Sequence, residues 1–113
     1  DIYAIADALL KQDDIELISK KDYIAAPKPN GYRSLHLIVA VPVHLSRGKR
    51  MTKVEIQLRT MAMDWWASLE HQLRDKQNTF FTEDMSRNLH ECAELSAMLD
   101  ARMNTLRKSI LGE

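Results

Sequence analysis

The chain has 113 residues, enough for one compact domain with its own core but near the lower end of common domain sizes. Its 16 basic and 16 acidic residues cancel, so the overall charge indicates neither a nucleic-acid-binding nor a membrane-binding protein. A single cysteine, Cys92, excludes an internal disulfide and suits a reducing compartment, and no segment resembles a membrane span or a signal peptide. The sequence begins without a methionine and already in a helical pattern, which predicts a fragment of a longer chain.

The first two predicted elements are a helix and a strand. Helical spacing over residues 1–11 places four apolar side chains on one face: Ile2, Ile5, Ala6 and Leu9. The following segment, DDIELISKKDYI, predicts a strand with three apolar side chains buried: Ile15, Leu17 and Ile18. Residues 25–31 predict a loop, because Pro27 and Pro29 cannot donate ladder hydrogen bonds and the Asn-Gly pair tolerates positive φ.

A β-hairpin is predicted next. Every odd position from Leu35 to Leu45 is apolar, which is typical of a long strand with one buried face. After the polar turn SRGK, the segment MTKVEIQLRT alternates between an apolar and a strongly polar face. A two-residue turn at 47–48 places His36 opposite Arg59 and Ala40 opposite Glu55. A register shifted by two residues satisfies the pattern equally well, whereas a one-residue shift would bury charges.

Two helices complete the predicted order. Thr60 is a suitable N-cap, and an apolar stripe continues to about residue 76: Ala62, Trp66, Leu69 and Leu73. The segment DKQNTFFTED interrupts the pattern, and a long helix is predicted from Glu83 to Leu111. Its positions 85, 89, 92, 96, 99, 103, 106 and 110 are apolar except Ser96, which indicates helix packing within the protein or across an oligomer interface. The fold class is therefore α+β, with a sheet that is at least partly antiparallel.

The hairpin brings polar side chains of the loop and of both strands to one face of the sheet. Each residue type suits a nucleotide: cations for phosphate, an aromatic ring for stacking on a base, amides for a base edge, and a carboxylate for Mg²⁺ or a hydroxyl proton. The cations are Lys28, Arg33 and Arg59, and the aromatic ring is that of Tyr32. The amides are Asn30 and Gln57, and the carboxylate is Glu55. A solvated sheet face and an ordinary turn explain the same residues, so composition and spacing leave both interpretations open.

Other chemistry is discounted. The four histidines show no metal-ligand spacing, and Cys92 falls on the apolar stripe of a helix. Trp65 and Trp66 suit a core or an interface. Glu70 and Arg74 have the spacing of a surface ion pair on a helix.

The motifs together are more specific than their parts. KDYIAAPKPNGYRSLHLIV followed by VEIQLRTMAMDWWASLEHQLRDK resembles the synthetase domain of the RelA/SpoT family, in its short form, the small alarmone synthetases. The resemblance implies a nucleotidyltransferase-like fold, a mixed sheet flanked by helices. It also implies a GTP pyrophosphokinase of the stringent response, which transfers pyrophosphate from ATP to the 3′-hydroxyl of GDP or GTP with Mg²⁺. Residues 1–80 would belong to the catalytic domain, and residues 81–113 to a helical segment for packing or oligomerisation.

The resemblance also implies roles for individual residues. Tyr32 would stack on the acceptor guanine, with Lys28 and Asn30 lining the same pocket and Ala67 contacting the guanine edge. His36 would lie beside the acceptor phosphates, and Gln57 and Arg59 would support the site. Glu55 would be the catalytic acidic residue that binds Mg²⁺ and activates the 3′-hydroxyl.

Further expectations concern the whole protein. The family groups that bind ATP, and a second acidic metal ligand, would precede Asp1, so the chain alone is expected to be inactive. The resemblance implies a cytoplasmic homo-oligomer, commonly a tetramer built through C-terminal helices. No membrane partner is expected, and RNA binding is compatible with the sequence but not indicated by it. The alternatives are a regulatory module that binds a nucleotide or RNA without chemistry, and a helical oligomerisation module with a solvated polar face.

Overall fold

The computed structural model describes residues 1–75 and 82–112. The elements follow in the order α1 (Ile2–Leu10), β1 (Glu16–Asp22), β2 (Leu35–Leu45), β3 (Gly48–Leu58), α2 (Met61–Asp75) and α3 (Glu83–Leu111). The strands pair antiparallel in the order β1-β2-β3. The predicted α+β class with flanking helices is confirmed. The predicted break after α2 and the boundary between residues 80 and 81 fall largely outside the described residues.

The first core lies between α1 and the apolar face of the sheet. Ala6 of α1 packs with three side chains of β2 that have no exposed surface: Leu35, Leu37 and Val39. Asp1 caps the helix, because its carboxylate accepts a hydrogen bond from the backbone N–H of Ala4 at 2.9 Å. The predicted alternation therefore correctly identifies the buried face of β2.

The register of the hairpin differs from the first prediction. The turn consists of Ser46 and Arg47, so His36 pairs with Gln57 and Ala40 with Lys53. The register based on a turn at 47–48 is wrong, and the two-residue shift that the pattern also allowed is correct. Side-chain faces repeat every two residues, so the polar face keeps the same members.

β1 also departs from its prediction. Leu17 and Ile18 were expected to be buried but are 43% and 46% exposed. The register shifts between Leu17 and Ser19, and such a bulge breaks the alternation that would have directed one of the two residues inward. Ile15 does pack against the first core.

The second core joins α2 to α3. It contains Met63 and Trp66 of α2 with Leu89 and Ala93 of α3. Thr60 caps α2 as predicted, since its hydroxyl accepts from the N–H of Met63 at 3.2 Å. Met63 was not on the predicted stripe, whereas Ala62, Leu69 and Leu73 of that stripe are not fully buried.

α3 has its predicted bounds, with Thr82 as N-cap and Gly112 in the left-handed region as C-cap. Of its predicted apolar stripe, Leu89 alone is buried among the described residues, and Ala93, one turn further along, has no exposed surface. From Leu99 onwards the stripe is more than half exposed. Among the helices of residues 1–75 and 82–112, none has the length and apolarity to cross a membrane.

Candidate functional site

A cleft of about 490 Å³ lies between the 25–34 loop, the polar face of the sheet and α2. Its lining consists of Lys28, Asn30, Tyr32, His36, Gln57, Arg59, Trp66, Ala67, Ser68, Glu70 and His71. Seven of the eight residues to which the resemblance gives a role therefore line one cavity. The eighth, Glu55, lies beside it on β3, next to Gln57 on the same face.

The loop is held by its own hydrogen bonds. The side-chain oxygen of Asn30 accepts from the N–H of Tyr32 at 3.0 Å, and the N–H of Gly31 donates to the carbonyl of Lys28 at 2.8 Å. The N–H of Lys28 in turn donates to the carbonyl of Tyr32 at 3.1 Å. Gly31 has φ near +100°, a conformation that favours glycine. This turn fixes three cleft-lining side chains relative to one another.

Tyr32 is the central aromatic residue of the cleft. Its ring centroid is 6.4 Å from that of Trp66 and 6.3 Å from that of His36. The Lys28 ammonium lies 5.5 Å from the Tyr32 centroid and 4.8 Å from that of Tyr23. The cleft thus offers an aromatic surface with a cation beside it.

Arg59 fixes the hydroxyl end of Tyr32. Its guanidinium donates to the Tyr32 hydroxyl at 3.0 Å and lies 2.7 Å from the carboxylate of Asp64 at the start of α2. The bond to Tyr32 raises the pKa of Arg59, and Asp64 adds to this, while burial opposes it. The predicted supporting role of Arg59 thus has a geometric basis, because the side chain orients the ring.

His36 is mostly buried, with 16% of its side chain exposed. Burial lowers its pKa below the ordinary value, and the charges of Lys28, Lys21 and Arg59 act in the same direction, against the opposing effect of Glu55. The lowered pKa favours the neutral form of the imidazole. Its Nε2 is buried without a hydrogen-bond partner, a polar atom that a ligand in the cleft could satisfy.

Glu55 is 55% exposed, 3.6 Å from Nδ1 of His36 and 3.4 Å from the amide nitrogen of Gln57. No group of three or more potential metal-ligating side chains occurs in the described part of the chain. Mg²⁺ is commonly held by one or two carboxylates together with substrate phosphates, so a single exposed carboxylate fits it. Glu55 is a residue at this site that could contribute such a bond.

Sequence reasoning missed part of the α2 wall. Ala67, Glu70 and His71 have the i, i+3, i+4 spacing of one helical face, and this face lines the cleft. The predicted contact between Glu70 and Arg74 is present, yet the Glu70 side chain is only 16% exposed and also faces the cavity. The spacing from Ala67 was the signal that would have identified both residues. Trp66, expected in a core or interface, is in the second core and also borders the cleft.

Arg33 does not line the cleft, although its charge made it a candidate phosphate ligand. Its guanidinium instead donates to two backbone carbonyls, of Gly31 at 3.2 Å and of Ala93 at 3.1 Å. Ser34, which immediately precedes β2, has no exposed surface.

Comparison with known proteins identifies relatives of the chain. Residues 1–79 match the region found in RelA / SpoT proteins. The chain is 44% identical over 110 residues to the GTP pyrophosphokinase YwaC and 36% identical over 110 residues to the GTP pyrophosphokinase YjbM, both from Bacillus subtilis (strain 168). Each alignment covers 97% of this chain and 52% of the relative, so the chain spans about half the length of these curated relatives.

Solved structures agree with the sequence comparison. The small alarmone synthetase 2 from Bacillus subtilis superposes with a TM-score of 0.89 at 45% identity, over 96% of this chain and 59% of that one. The small alarmone synthetase 1 from the same organism, bound to its product pppGpp, gives 0.83 at 35% identity, over 96% of this chain and 56% of that one. The fold around the cleft is thus shared with nucleotide-binding enzymes.

Proposed function

The chain belongs to the RelA/SpoT family, and from this premise we propose that it forms the acceptor-nucleotide half of a GTP pyrophosphokinase. The transferred group is the pyrophosphate of ATP, the acceptor is the 3′-hydroxyl of GDP or GTP, and the products are the alarmones ppGpp or pppGpp. The observation that carries the proposal is the convergence of Lys28, Asn30, Tyr32, His36, Gln57, Arg59 and Ala67 on one cleft. The related enzyme crystallised with pppGpp supports the choice of nucleotide.

The guanine base stacks on Tyr32 in this proposal. Arg59 holds the Tyr32 hydroxyl and Asp64 holds Arg59, so the ring is oriented before a base arrives. A preoriented ring loses little conformational entropy on binding. The backbone of Ala67 and the amide of Asn30 contact the base edge. The Glu70 carboxylate on the same helical face is suited to accept hydrogen bonds from the N–H groups that guanine, unlike adenine, presents beside its carbonyl.

The acceptor phosphates lie towards Lys28 and His36. The flexible stem of Lys28 allows its ammonium to leave the two tyrosine rings for a phosphate oxygen. The neutral imidazole of His36 can donate one hydrogen bond from its unpartnered Nε2 when that nitrogen carries the proton. Gln57 pairs with His36 across the hairpin and lies on the same face as Glu55.

Glu55 accepts the proton of the 3′-hydroxyl. The 3′-oxygen then attacks the β-phosphorus of ATP, the bond from that phosphorus to the oxygen shared with the α-phosphate breaks, and AMP leaves. Phosphoryl-type transfers depend mainly on positioning and on neutralising charge. Mg²⁺ bound through Glu55 and the phosphates would supply charge neutralisation. The ATP-binding groups and a second acidic ligand are proposed to lie outside these 113 residues, which is why the chain alone is expected to be inactive.

The assembly and location form part of the same proposal. The stripe of α3 from Leu99 to Ile110 is apolar and largely exposed, as expected of a helix that packs against another copy in a homo-oligomer such as a tetramer. A cytoplasmic location, where ATP and guanine nucleotides are available, is part of the same proposal.

The test is a transfer assay on the complete natural protein that contains this sequence, with ATP labelled in its terminal phosphate and unlabelled GDP. The expected result is a labelled guanosine nucleotide carrying pyrophosphate on its 3′-oxygen, formed only when Mg²⁺ is present. Binding of GDP without any transfer would favour the regulatory module instead. If the protein neither binds GDP nor transfers pyrophosphate, the polar face has no nucleotide role.

A further inference from the structure

The loop that carries Lys28, Asn30 and Tyr32 rests directly on the middle of α3. A Cβ atom placed on Gly31 would lie 2.7 Å from the Cβ of Ala93, closer than two carbon atoms can approach without displacement. The same Cβ would lie 3.6 Å from the carbonyl oxygen of His90. Ala93 itself has no exposed surface. The contact therefore requires the two smallest side chains, one on each side.

Arg33 fastens the same contact. One guanidinium nitrogen donates to the carbonyl of Gly31 in the loop and to the carbonyl of Ala93 in α3. Hydrogen bonds from a charged donor are stronger than neutral ones, and each carbonyl oxygen has a second lone pair to accept them. Arg33 is thus used to join the loop to the helix.

Any displacement at Gly31 is transmitted to the cleft. Gly31 is bonded to Lys28, Lys28 to Tyr32, and Tyr32 to the side chain of Asn30, so the turn moves as a unit. From this geometry we infer that Ala93 and Arg33 are positioning residues, which set the distance of the loop from the α2 wall and thereby the affinity for the acceptor nucleotide. This inference rests on the proposed function, because it assigns determinants of binding to that same cleft.

The first experiment enlarges the side chain at the contact between the loop and α3. In the complete natural protein, Ala93→Val should raise the KM and Kd for GDP by roughly tenfold or more, since small displacements of binding groups have large effects, and leave the KM for ATP within about twofold. Ala101→Val, an exposed position of the same helix, is the matched control and should leave both values unchanged. If Ala93→Val does not fold, Ala93→Ser applies a smaller displacement and should raise the same two values by a smaller factor.

The second experiment separates positioning from phosphate binding. Arg33→Met should weaken the binding of guanosine and of GDP by the same factor. Arg33→Lys should restore part of both affinities, because a lysine can still donate to the two carbonyls. Weakening of GDP alone would show that Arg33 acts on phosphate and would overturn the inference.

The outcomes distinguish the two proposals. Wild-type protein that binds no GDP would contradict the proposed function itself. Wild-type protein that binds GDP, with unchanged affinity in the folded Ala93→Val or Ala93→Ser variant, would contradict the positioning role while leaving the proposed function in place.

Discussion

The two halves of the β2–β3 hairpin follow one sequence pattern and have different surroundings. The inner half consists of residues 35–40 of β2, which pair with β1, and residues 53–58 of β3. It packs against α1 on one face and borders the cleft on the other. The outer half, residues 41–52, extends beyond the last residue paired with β1. On the apolar face of this half, Val43 and Leu45 are 38% and 52% exposed. Alternation therefore determines which side chains share a face but not which part of that face is covered.

The difference in surroundings produces a difference in chemistry. At the inner half, His36 is mostly buried and lies 3.6 Å from Glu55; burial lowers the pKa of His36, and Glu55 opposes this effect. At the outer half, His44, Lys49 and Arg50 are exposed and do not line the cleft. The account of the site predicts that equivalent substitutions have unequal effects in the two halves.

The largest effect is expected from Glu55→Gln. Loss of the proton acceptor should lower the rate of pyrophosphate transfer by roughly 10²- to 10⁴-fold, the usual contribution of a general base. Glu16→Gln on β1 is the control, because the outer half contains no carboxylate. The two rates are measured with labelled ATP alongside melting curves. Wild-type activity in a folded Glu55→Gln protein would remove Glu55 from the mechanism.

A smaller effect is expected from Tyr32→Ala. Stacking of a base on an aromatic ring contributes about 1–3 kcal/mol, so the Kd for GDP measured by calorimetry should rise roughly five- to 150-fold. Tyr32→Phe keeps the ring and loses the bond to Arg59, and should weaken binding only slightly. An equal loss in both variants would show that the hydroxyl, not the ring, matters.

The next smaller effect is expected from removing one positive charge beside the cleft. Lys28→Met should weaken the binding of GDP by about tenfold, which is the effect of losing one charge-assisted contact at an exposed phosphate. It should hardly change the binding of guanosine, which has no phosphate. Lys49→Met removes the same charge from the outer half and should change neither affinity. Equal weakening of GDP by both variants would mean that a general positive field, not a local contact, attracts the nucleotide.

The smallest effect concerns pH. The pKa of His36 is lower in the folded than in the unfolded protein, so the unfolded state binds more protons below about pH 6.5. The contribution of the neutral His36 to the free energy of unfolding is fully present above that pH, and it is lost as the pH falls towards the pKa of His36 in the folded protein. His36→Gln should therefore reduce the fall in melting temperature between about pH 7.5 and about pH 5.5, whereas His44→Gln should not. A fall as steep as in the wild type would exclude His36 as the source.

Much of the fold could be predicted because it depends on local rules. The apolar odd positions of β2, the cap at Thr60 and the bounds of α3 follow from periodicity and hydrogen-bonding capacity. The hairpin register could not be predicted, because a pattern of period two is identical after a shift of two residues. The exposure of Leu17 and Ile18 depends on a β-bulge, and no residue type in this segment predicts a bulge.

The site shows the same division. The loop and hairpin residues could be predicted to share a face because pairing across a hairpin brings them together. The α2 wall was incomplete, since Glu70 has a surface-pair spacing with Arg74 and its burial depends on how α2 packs. Arg33 illustrates the opposite error, because charge alone does not distinguish a phosphate ligand from a donor to backbone carbonyls.

The most direct test of the central claim is hydrogen–deuterium exchange of the complete natural protein with and without GDP, read peptide by peptide. Binding at the cleft predicts slower exchange in peptides that cover residues 27–36 and 55–71, with peptides from residues 41–52 unchanged. Slower exchange in the outer half of the hairpin, with the loop and α2 unaffected, would contradict the assignment of the cleft as the acceptor-nucleotide site.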